Sequence, residues 1–148
     1  MLGDARLTLA ASLKYYDLIV LDAFSSDAIP VHLLTREAFA GYLMRLSPHG
    51  IIAVHVSNQH MELASVVAAV GKAEGLTAYV REDDKANDFT KDYRANAEVV
   101  ALARSKADFG DLPSRYGWRP LAPMPSVAAW TDDYSDVLHA ILRKTFPE

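Results

Sequence analysis

Two aspartates that follow a short apolar run are the residues of this chain whose type and spacing best suit chemistry. Asp22 comes directly after the run Leu18–Leu21, and Asp27 lies five residues later in a polar segment that ends at Pro30. Carboxylates bind cationic groups and accept protons, so two of them in one loop are a candidate site. The same composition is also typical of an ordinary turn, and position alone does not separate the two interpretations.

The elements around these aspartates predict where they lie. An unbroken apolar run of this length is typical of a strand that is covered on both faces, as in parallel sheets. In open α/β sheets, ligands bind beyond the carboxyl ends of the strands. We therefore expect strand 17–22 to carry Asp22 and Asp27 to the ligand-binding edge of a sheet.

Composition limits the class of protein. The 148 residues form one domain, 1–148, with half of them hydrophobic and 23% charged, which is typical of a globular fold. A net charge of −4 without a Lys/Arg cluster argues against nucleic-acid binding. Neither a signal peptide nor a membrane-spanning run is recognisable, so we expect a soluble, cytoplasmic protein without membrane contact.

Cysteine and histidine content bears on covalent and metal chemistry. The chain has no cysteine, which excludes disulfides, thiol nucleophiles and cysteine-based zinc sites. Its five histidines show no HExxH or similar ligand spacing, so we predict no metal site. His55 and His60 are five residues apart across a predicted strand end, and we interpret them as unrelated to each other.

The order of predicted elements is helix, strand, helix, strand, helix, strand, strand, helix. Asp4 is a candidate N-cap for the first helix and Thr35 for the second. The βαβα order implies a parallel sheet with right-handed crossovers, and the last two strands should be antiparallel neighbours. We expect a loop over 106–125 and a capping role for Asp132 and Asp133. The last helix should turn four apolar residues to the core: Val137, Leu138, Ile141 and Leu142.

Three sequence blocks, in this order, resemble a known family. They are Gly3-Asp4-Ala5-Arg6, Tyr16-Asp17-Leu18-Ile19-Val20-Leu21-Asp22 and Pro48-His49-Gly50-Ile51. The succession resembles the later half of a class I S-adenosylmethionine-dependent methyltransferase fold, and most of all the spermidine synthase-like (polyamine aminopropyltransferase) group. Thr131-Asp132-Asp133 resembles a further element of members that are fused to membrane segments.

The resemblance implies a fold class. It is α/β, a partial Rossmann-like three-layer sandwich with a mostly parallel sheet and an antiparallel strand near the C-terminus. The chain would be the C-terminal portion of such a domain, because no glycine-rich cofactor turn such as GxGxxG occurs in it. As this fragment alone, we expect it to be inactive.

The resemblance also implies roles for individual residues. Asp4, with Ala5 beside it, matches the position that contacts the adenine of the nucleoside. Asp22 matches the aspartate that contacts the amino groups of substrate and product, which serves catalysis and the binding of both ligands. Asp27 is the best match for the catalytic aspartate, although the family's Asp-Ser-Ser-Asp-Pro is a shorter loop. Gln59 follows the second strand, where relatives place substrate contacts, but an ordinary helix-start role competes.

The implied reaction is aminopropyl transfer from decarboxylated S-adenosylmethionine to a diamine such as putrescine, with no metal. S-adenosylmethionine-dependent methyl transfer is the first alternative, because it shares the fold and the positions of Asp4 and Asp22. A non-catalytic remnant or association module is the second alternative. Without the first half of the sheet, strand 17–22 becomes an apolar edge, so we expect a homo-oligomer or pairing with another chain through this edge.

Overall fold

The computed structural model describes residues 5–22, 31–58, 60–83, 97–115 and 117–146. Asp4, Asp27 and Gln59 lie outside these residues. Helices and strands alternate through the first half of the chain, as the sequence predicts. In chain order the elements are α1 (Ala5–Ala11), β1 (Tyr16–Leu21), α2 (Arg36–Leu43), β2 (Leu46–His55), α3 (Ala64–Ala73), β3 (Thr77–Asp83), β4 (Ala97–Ala103), β5 (Arg119–Pro120) and α4 (Val137–Thr145). Short 3₁₀ helices cover Val31–Leu33, Lys106–Phe109 and Leu112–Ser114.

The five strands form one sheet in the order β1-β2-β4-β3-β5. β1 and β2 are parallel, and β4 lies antiparallel between β2 and β3. β1, β2 and β3 therefore point in the same direction, and β4 and the short β5, which is antiparallel to β3, point the other way. This mixed arrangement confirms the predicted partial Rossmann-like α/β class, including the antiparallel neighbours β3 and β4.

Local sequence explains where two of the helices begin and end. The Thr35 side chain accepts a hydrogen bond from the backbone N–H of Ala38, which is the predicted N-cap of α2. After α3 the chain turns at Gly75, whose φ of 75° is a left-handed conformation that favours glycine. α4 is capped by Asp136, which accepts from the His139 N–H, so the predicted capping role of Asp132 and Asp133 is wrong.

The main core lies on one face of the sheet, which we call the helix-covered face. Side chains that point to this face alternate along each strand, as Ile19 and Leu21 do in β1 and Ile52 and Val54 do in β2. They pack against apolar residues of α2 and α3 and against Trp130. The fully buried residues of these two helices include Phe39, Tyr42, Val66, Val67 and Val70. Burial of this layer is the main source of stability.

The second face of the sheet is covered only in part. Over β3 and β4, Tyr79 packs edge-on against Phe109 at 4.8 Å between ring centroids, within a small separate core. At β1 this face is open, since the side chains of Leu18 and Val20 are 56% and 59% exposed. In the described part of the chain, β1 pairs only with β2, so it is an edge strand with an uncovered apolar face.

Three details differ from the sequence predictions. β2 begins at Leu46 rather than at Ile51, because Tyr16 pairs with Leu46 and a register shift before Leu18 accommodates the residues between. The stretch 106–125 is not only loop, since Phe109 and its neighbours fold onto the sheet as short 3₁₀ helices, followed by β5.

The apolar face of α4 is the third difference. Val137 packs against the core as predicted, but Leu138 is 65% exposed, and Ile141 and Leu142 are exposed too, whereas the small Ala140 is fully buried. α4 is held through the Ala140 carbonyl, which accepts from the Glu62 N–H, and through the ion pair of Arg143 with Glu62. A small residue at this contact lets the helix approach closely and leaves the large side chains outside. Within the described ranges, every helix falls short of what crossing a bilayer requires.

Candidate functional site

The carboxyl ends of β1 and β2 bring Asp22 next to His55. The parallel register pairs Leu21 with Val54, so the following residues of the two strands are neighbours as well. Their side chains leave the sheet on its second face, and His55 Nδ1 lies 2.8 Å from Asp22 Oδ1. The Asp22 side chain is 69% exposed, so its carboxylate remains accessible.

Hydrogen bonds continue from His55 into the sheet. His55 Nε2 lies 2.7 Å from the Oγ of Ser57, two residues further along the chain and so on the same side. The backbone N–H of Glu98 in β4 donates to the same Oγ at 2.6 Å. The three side chains therefore form one connected group, which we call the Asp22–His55–Ser57 chain.

Sequence reasoning found Asp22 but missed His55 and Ser57. It interpreted the histidines only by their spacing from one another. A usable signal was the parallel pairing itself, since residues that directly follow two adjacent parallel strands come together. Strand alternation then places His55 and Ser57 on one face.

Of the remaining predicted site residues, the structure describes only Ala5. It is the first residue of α1 and lines a groove of about 570 Å³ between α1 and β1, together with Val20 and Leu21. The groove extends along β1 to Leu21, whereas Asp22, the next residue, does not line it and points to the second face of the sheet. The predicted roles of Asp4, Asp27 and Gln59 concern residues outside the described part of the chain.

A second polar cluster joins Arg6, Thr35 and Asp132. The Arg6 guanidinium makes two hydrogen bonds to the Asp132 carboxylate, at 2.8 and 2.7 Å, and the Thr35 hydroxyl donates to Oδ1 at 2.7 Å. These donors lower the pKa of Asp132 to about 2, and the hydrogen bond to the Asp132 carboxylate raises the pKa of Arg6. The cluster borders a cavity of about 410 Å³ that His32 and Ser135 also line. Both oxygens of the Asp132 carboxylate have a hydrogen-bond partner, so we interpret the cluster as a structural link between segments of the chain.

Neighbouring acids shift the pKa of Glu98. Burial of its side chain raises this pKa, and repulsion from Glu82 on the adjacent strand adds to the shift. Glu82 itself forms an ion pair with Arg119. Glu98, whose backbone N–H binds Ser57, therefore has a carboxyl group whose charged form is disfavoured.

The described side chains fit parts of a nucleoside and amine site. The mainly apolar groove beside β1 suits a flat base, and the exposed Asp22 carboxylate separately suits a cationic group. No cluster of three or more His, Cys, Asp or Glu side chains that could hold a metal occurs within the described ranges. The sequence also has no glycine-rich turn of the kind that lets a backbone approach a bound cofactor closely.

Comparison with solved structures defines the class of fold. It is a spermidine synthase-like, class I methyltransferase fold, which confirms the resemblance seen in the sequence. One similar structure is a probable spermidine synthase from Corynebacterium glutamicum ATCC 13032, with a TM-score of 0.56 and 17% identity over 91% of this chain and 54% of the other. Another is MnmC2 from Aquifex aeolicus, with a TM-score of 0.50 and 16% identity over 100% of this chain and 45% of the other.

These similarities concern the fold. This chain spans about half the length of the solved structures that it matches. No protein-family model matches the sequence, and no curated protein matches it significantly.

Proposed function

We propose that this chain contributes the amine-binding half of a spermidine synthase-like transferase. The reaction is aminopropyl transfer from decarboxylated S-adenosylmethionine to a diamine such as putrescine. The observation that carries the proposal is the exposed carboxylate of Asp22 at the carboxyl end of β1, in a fold of this class. Ligands of open α/β sheets bind at this edge.

The residues have separate tasks in this proposal. A diamine is protonated at neutral pH, and the Asp22 carboxylate binds one ammonium by a charge-assisted hydrogen bond. Asp27 accepts a proton from the attacking amine, whose nitrogen then bonds to the methylene next to the sulfonium while the carbon–sulfur bond breaks. Ala5 and Asp4 would contact the nucleoside, and Gln59 the amine. The sulfonium is a good leaving group, so positioning supplies much of the rate.

The chain would act as the C-terminal portion, residues 1–148, of a longer catalytic domain. Its length relative to the two solved structures supports this proposal. The glycine-rich part of the nucleoside site would come from the first half, in the same or another polypeptide. We expect the chain to be inactive alone, and a cytoplasmic location stays a prediction from the sequence.

The test is a product analysis on the longest natural protein that contains this chain, with the chain alone as control. Putrescine is incubated with decarboxylated S-adenosylmethionine or with S-adenosylmethionine, and the nucleoside products are separated by mass spectrometry. Methylthioadenosine with the first donor supports aminopropyl transfer, and we expect Asp27→Asn to lower its formation by roughly a hundredfold. S-adenosylhomocysteine with the second donor supports methyl transfer instead. The absence of both products contradicts a transferase.

A second function, association without catalysis, is favoured by a different observation. β1 is an edge strand in the described sheet, and Leu18 and Val20 leave an apolar strip beside its open hydrogen-bonding groups. Such an edge pairs readily with another strand. We propose that β1 mediates a homo-oligomer or pairing with a chain that carries the first half of the fold. Nucleoside binding in the completed protein would contradict a purely associative role.

A further inference from the structure

One obligate donor, the Glu98 N–H, and one obligate acceptor, the Asp22 carboxylate, set the direction of the hydrogen bonds at the carboxyl ends of β1 and β2. The backbone N–H of Glu98 only donates, so the Oγ of Ser57 accepts at 2.6 Å. The hydroxyl proton of Ser57 is then available to its other neighbour, Nε2 of His55, at 2.7 Å. When Nε2 accepts, the proton of the neutral imidazole resides on Nδ1.

The proton on Nδ1 of His55 faces the carboxylate of Asp22. Nδ1 lies 2.8 Å from Asp22 Oδ1, so it donates to the carboxylate. Each hydrogen bond in the series from Glu98 through Ser57 and His55 to Asp22 then joins one donor to one acceptor. The Asp22 carboxylate, which only accepts, thus sets the Nδ1–H tautomer of His55, and the bond from the Ser57 hydroxyl to Nε2 agrees with it.

We propose that His55 is a positioning residue for Asp22, held in its Nδ1-protonated form by the Asp22 carboxylate at Nδ1 and by the Ser57 hydroxyl at Nε2. His55 occupies Oδ1, and no hydrogen bond reaches Oδ2 from residues 5–22, 31–58, 60–83, 97–115 or 117–146. The Asp22 side chain is 69% exposed, so we infer that a cationic amine can reach this second oxygen. A carboxylate that is already oriented loses less freedom on binding, which strengthens the contact.

The functional part of this inference rests on the proposed role of Asp22 in amine binding. The tautomer part does not, because it follows from the hydrogen bonds alone. The two parts therefore have separate measurements.

The same three residue types form the nucleophilic triads of hydrolases, but the geometry here argues for a different use. A triad serine is activated when its base removes the hydroxyl proton. Here the Oγ of Ser57 also accepts the Glu98 N–H, which withdraws electron density from the would-be nucleophile. Ser57 is thus a link in the chain that orients His55.

The first measurement is the tautomer of His55 by NMR on the ¹⁵N-histidine-labelled chain, in solution alkaline enough for a neutral ring. We expect the Nδ1–H form in the wild type. Asp22→Ala removes the acceptor, and we expect His55 to change to the Nε2–H form that the free histidine side chain prefers. His49 is the internal control, since its partner Asp108 is unchanged. An Nε2–H form in the wild type, or no change in Asp22→Ala, overturns the proposal.

The second measurement is the affinity for putrescine, titrated by NMR into the same chain. We expect His55→Phe to raise Kd about tenfold, the lower end of the losses seen when a supporting hydrogen bond is removed from a ligating group. His55→Asn keeps an N–H near the Nδ1 position, so we expect it to restore most of the affinity. Equal affinity of the Phe and Asn variants contradicts a positioning role.

Failure of the proposed function has its own signature. A wild-type chain that shows the Nδ1–H form and its loss in Asp22→Ala, but no effect of putrescine, supports the hydrogen-bond chain and contradicts amine binding by Asp22.

Discussion

Arg6 and Asp132 form a two-fold hydrogen-bonded ion pair across 126 residues of sequence. The pair ties α1 to the segment before α4, and Thr35 joins it through its hydroxyl group while capping α2. Three separate parts of the chain therefore meet at one carboxylate. Since Asp132 is held by charge and geometry, its substitution should loosen the contact between the two ends of the chain.

Asp132→Asn should lower the stability of the chain in a pH-dependent way. The folded-state pKa of Asp132 is about 2, below the ordinary value of about 3.9. A lowered folded-state pKa contributes stability above the unfolded-state pKa, and this contribution is lost as the pH falls toward 2. We expect a lower Tm than wild type at pH 7, with the difference closing between about pH 4 and 2, by thermal melts followed by circular dichroism.

Asp133→Asn is the matched control, because this exposed neighbour should change Tm little. A Tm difference for Asp132→Asn that stays constant from pH 7 to pH 2 contradicts an electrostatic origin.

Glu98→Gln should raise the stability of the chain at pH 7, whereas Asp132→Asn should lower it. Burial and the nearby Glu82 raise the pKa of Glu98, so the folded state binds its proton more tightly than the unfolded state. The stability gained from this proton is present below the unfolded-state pKa and is lost as the pH rises through the folded-state pKa. We expect Glu98→Gln to raise Tm at pH 7 and to leave it unchanged under acid conditions where Glu98 is protonated.

The comparison variant is Glu82→Gln, which removes the same repulsion but also breaks the ion pair with Arg119. We expect Glu82→Gln to raise Tm at pH 7 by less than Glu98→Gln does. A lower Tm of Glu98→Gln at pH 7 would show that the carboxylate is stabilising.

Gly71→Ala should destabilise the fold, and Gly41→Ala should not. A Cβ at Gly71 would overlap Cδ2 of Leu102, so this fully buried side chain would have to shift within the core. Overpacking of this kind costs about 1–3 kcal/mol. At Gly41, in α2, a Cβ would meet nothing within 4 Å, so alanine should stabilise by about 0.5–1 kcal/mol.

Urea unfolding of the two variants measures both changes. Because both substitutions add one methyl group to a helix, their difference isolates the contact with Leu102. Similar free energies of unfolding for the two variants would mean that Leu102 adjusts without cost.

Val20→Lys should weaken self-association. Val20 lies on the open face of the edge strand β1, and a lysine there adds charge to the strip that a partner would cover. We expect the mean mass at high concentration to fall toward that of one chain, measured by light scattering. Met44→Lys is the control, since Met44 is also exposed and apolar but follows α2. A wild-type chain that is already a monomer under these conditions contradicts association through β1.

Much of the architecture follows from local sequence. The apolar run before Asp22 predicts β1 within one residue of its observed bounds, but the prediction that both faces of this strand are covered is wrong, since Leu18 and Val20 are exposed. Thr35 predicts the start of α2, because its hydroxyl can satisfy a backbone N–H that has no partner in the helix. The apolar face of α4 is where such reasoning fails, since periodicity does not reveal that Ala140 is the contact.

The sequence by itself determined the α/β class, the position of Asp22 at a strand end and the resemblance that the solved structures confirm at the level of fold. Only the tertiary structure decided which residues surround Asp22. The link from Glu98 through Ser57 and His55 depends on the registers of β1, β2 and β4, and Arg6 meets Asp132 because the two ends of the chain fold together. Such contacts join residues that are far apart along the chain, and local patterns of hydrophobicity and turn residues carry no information about them.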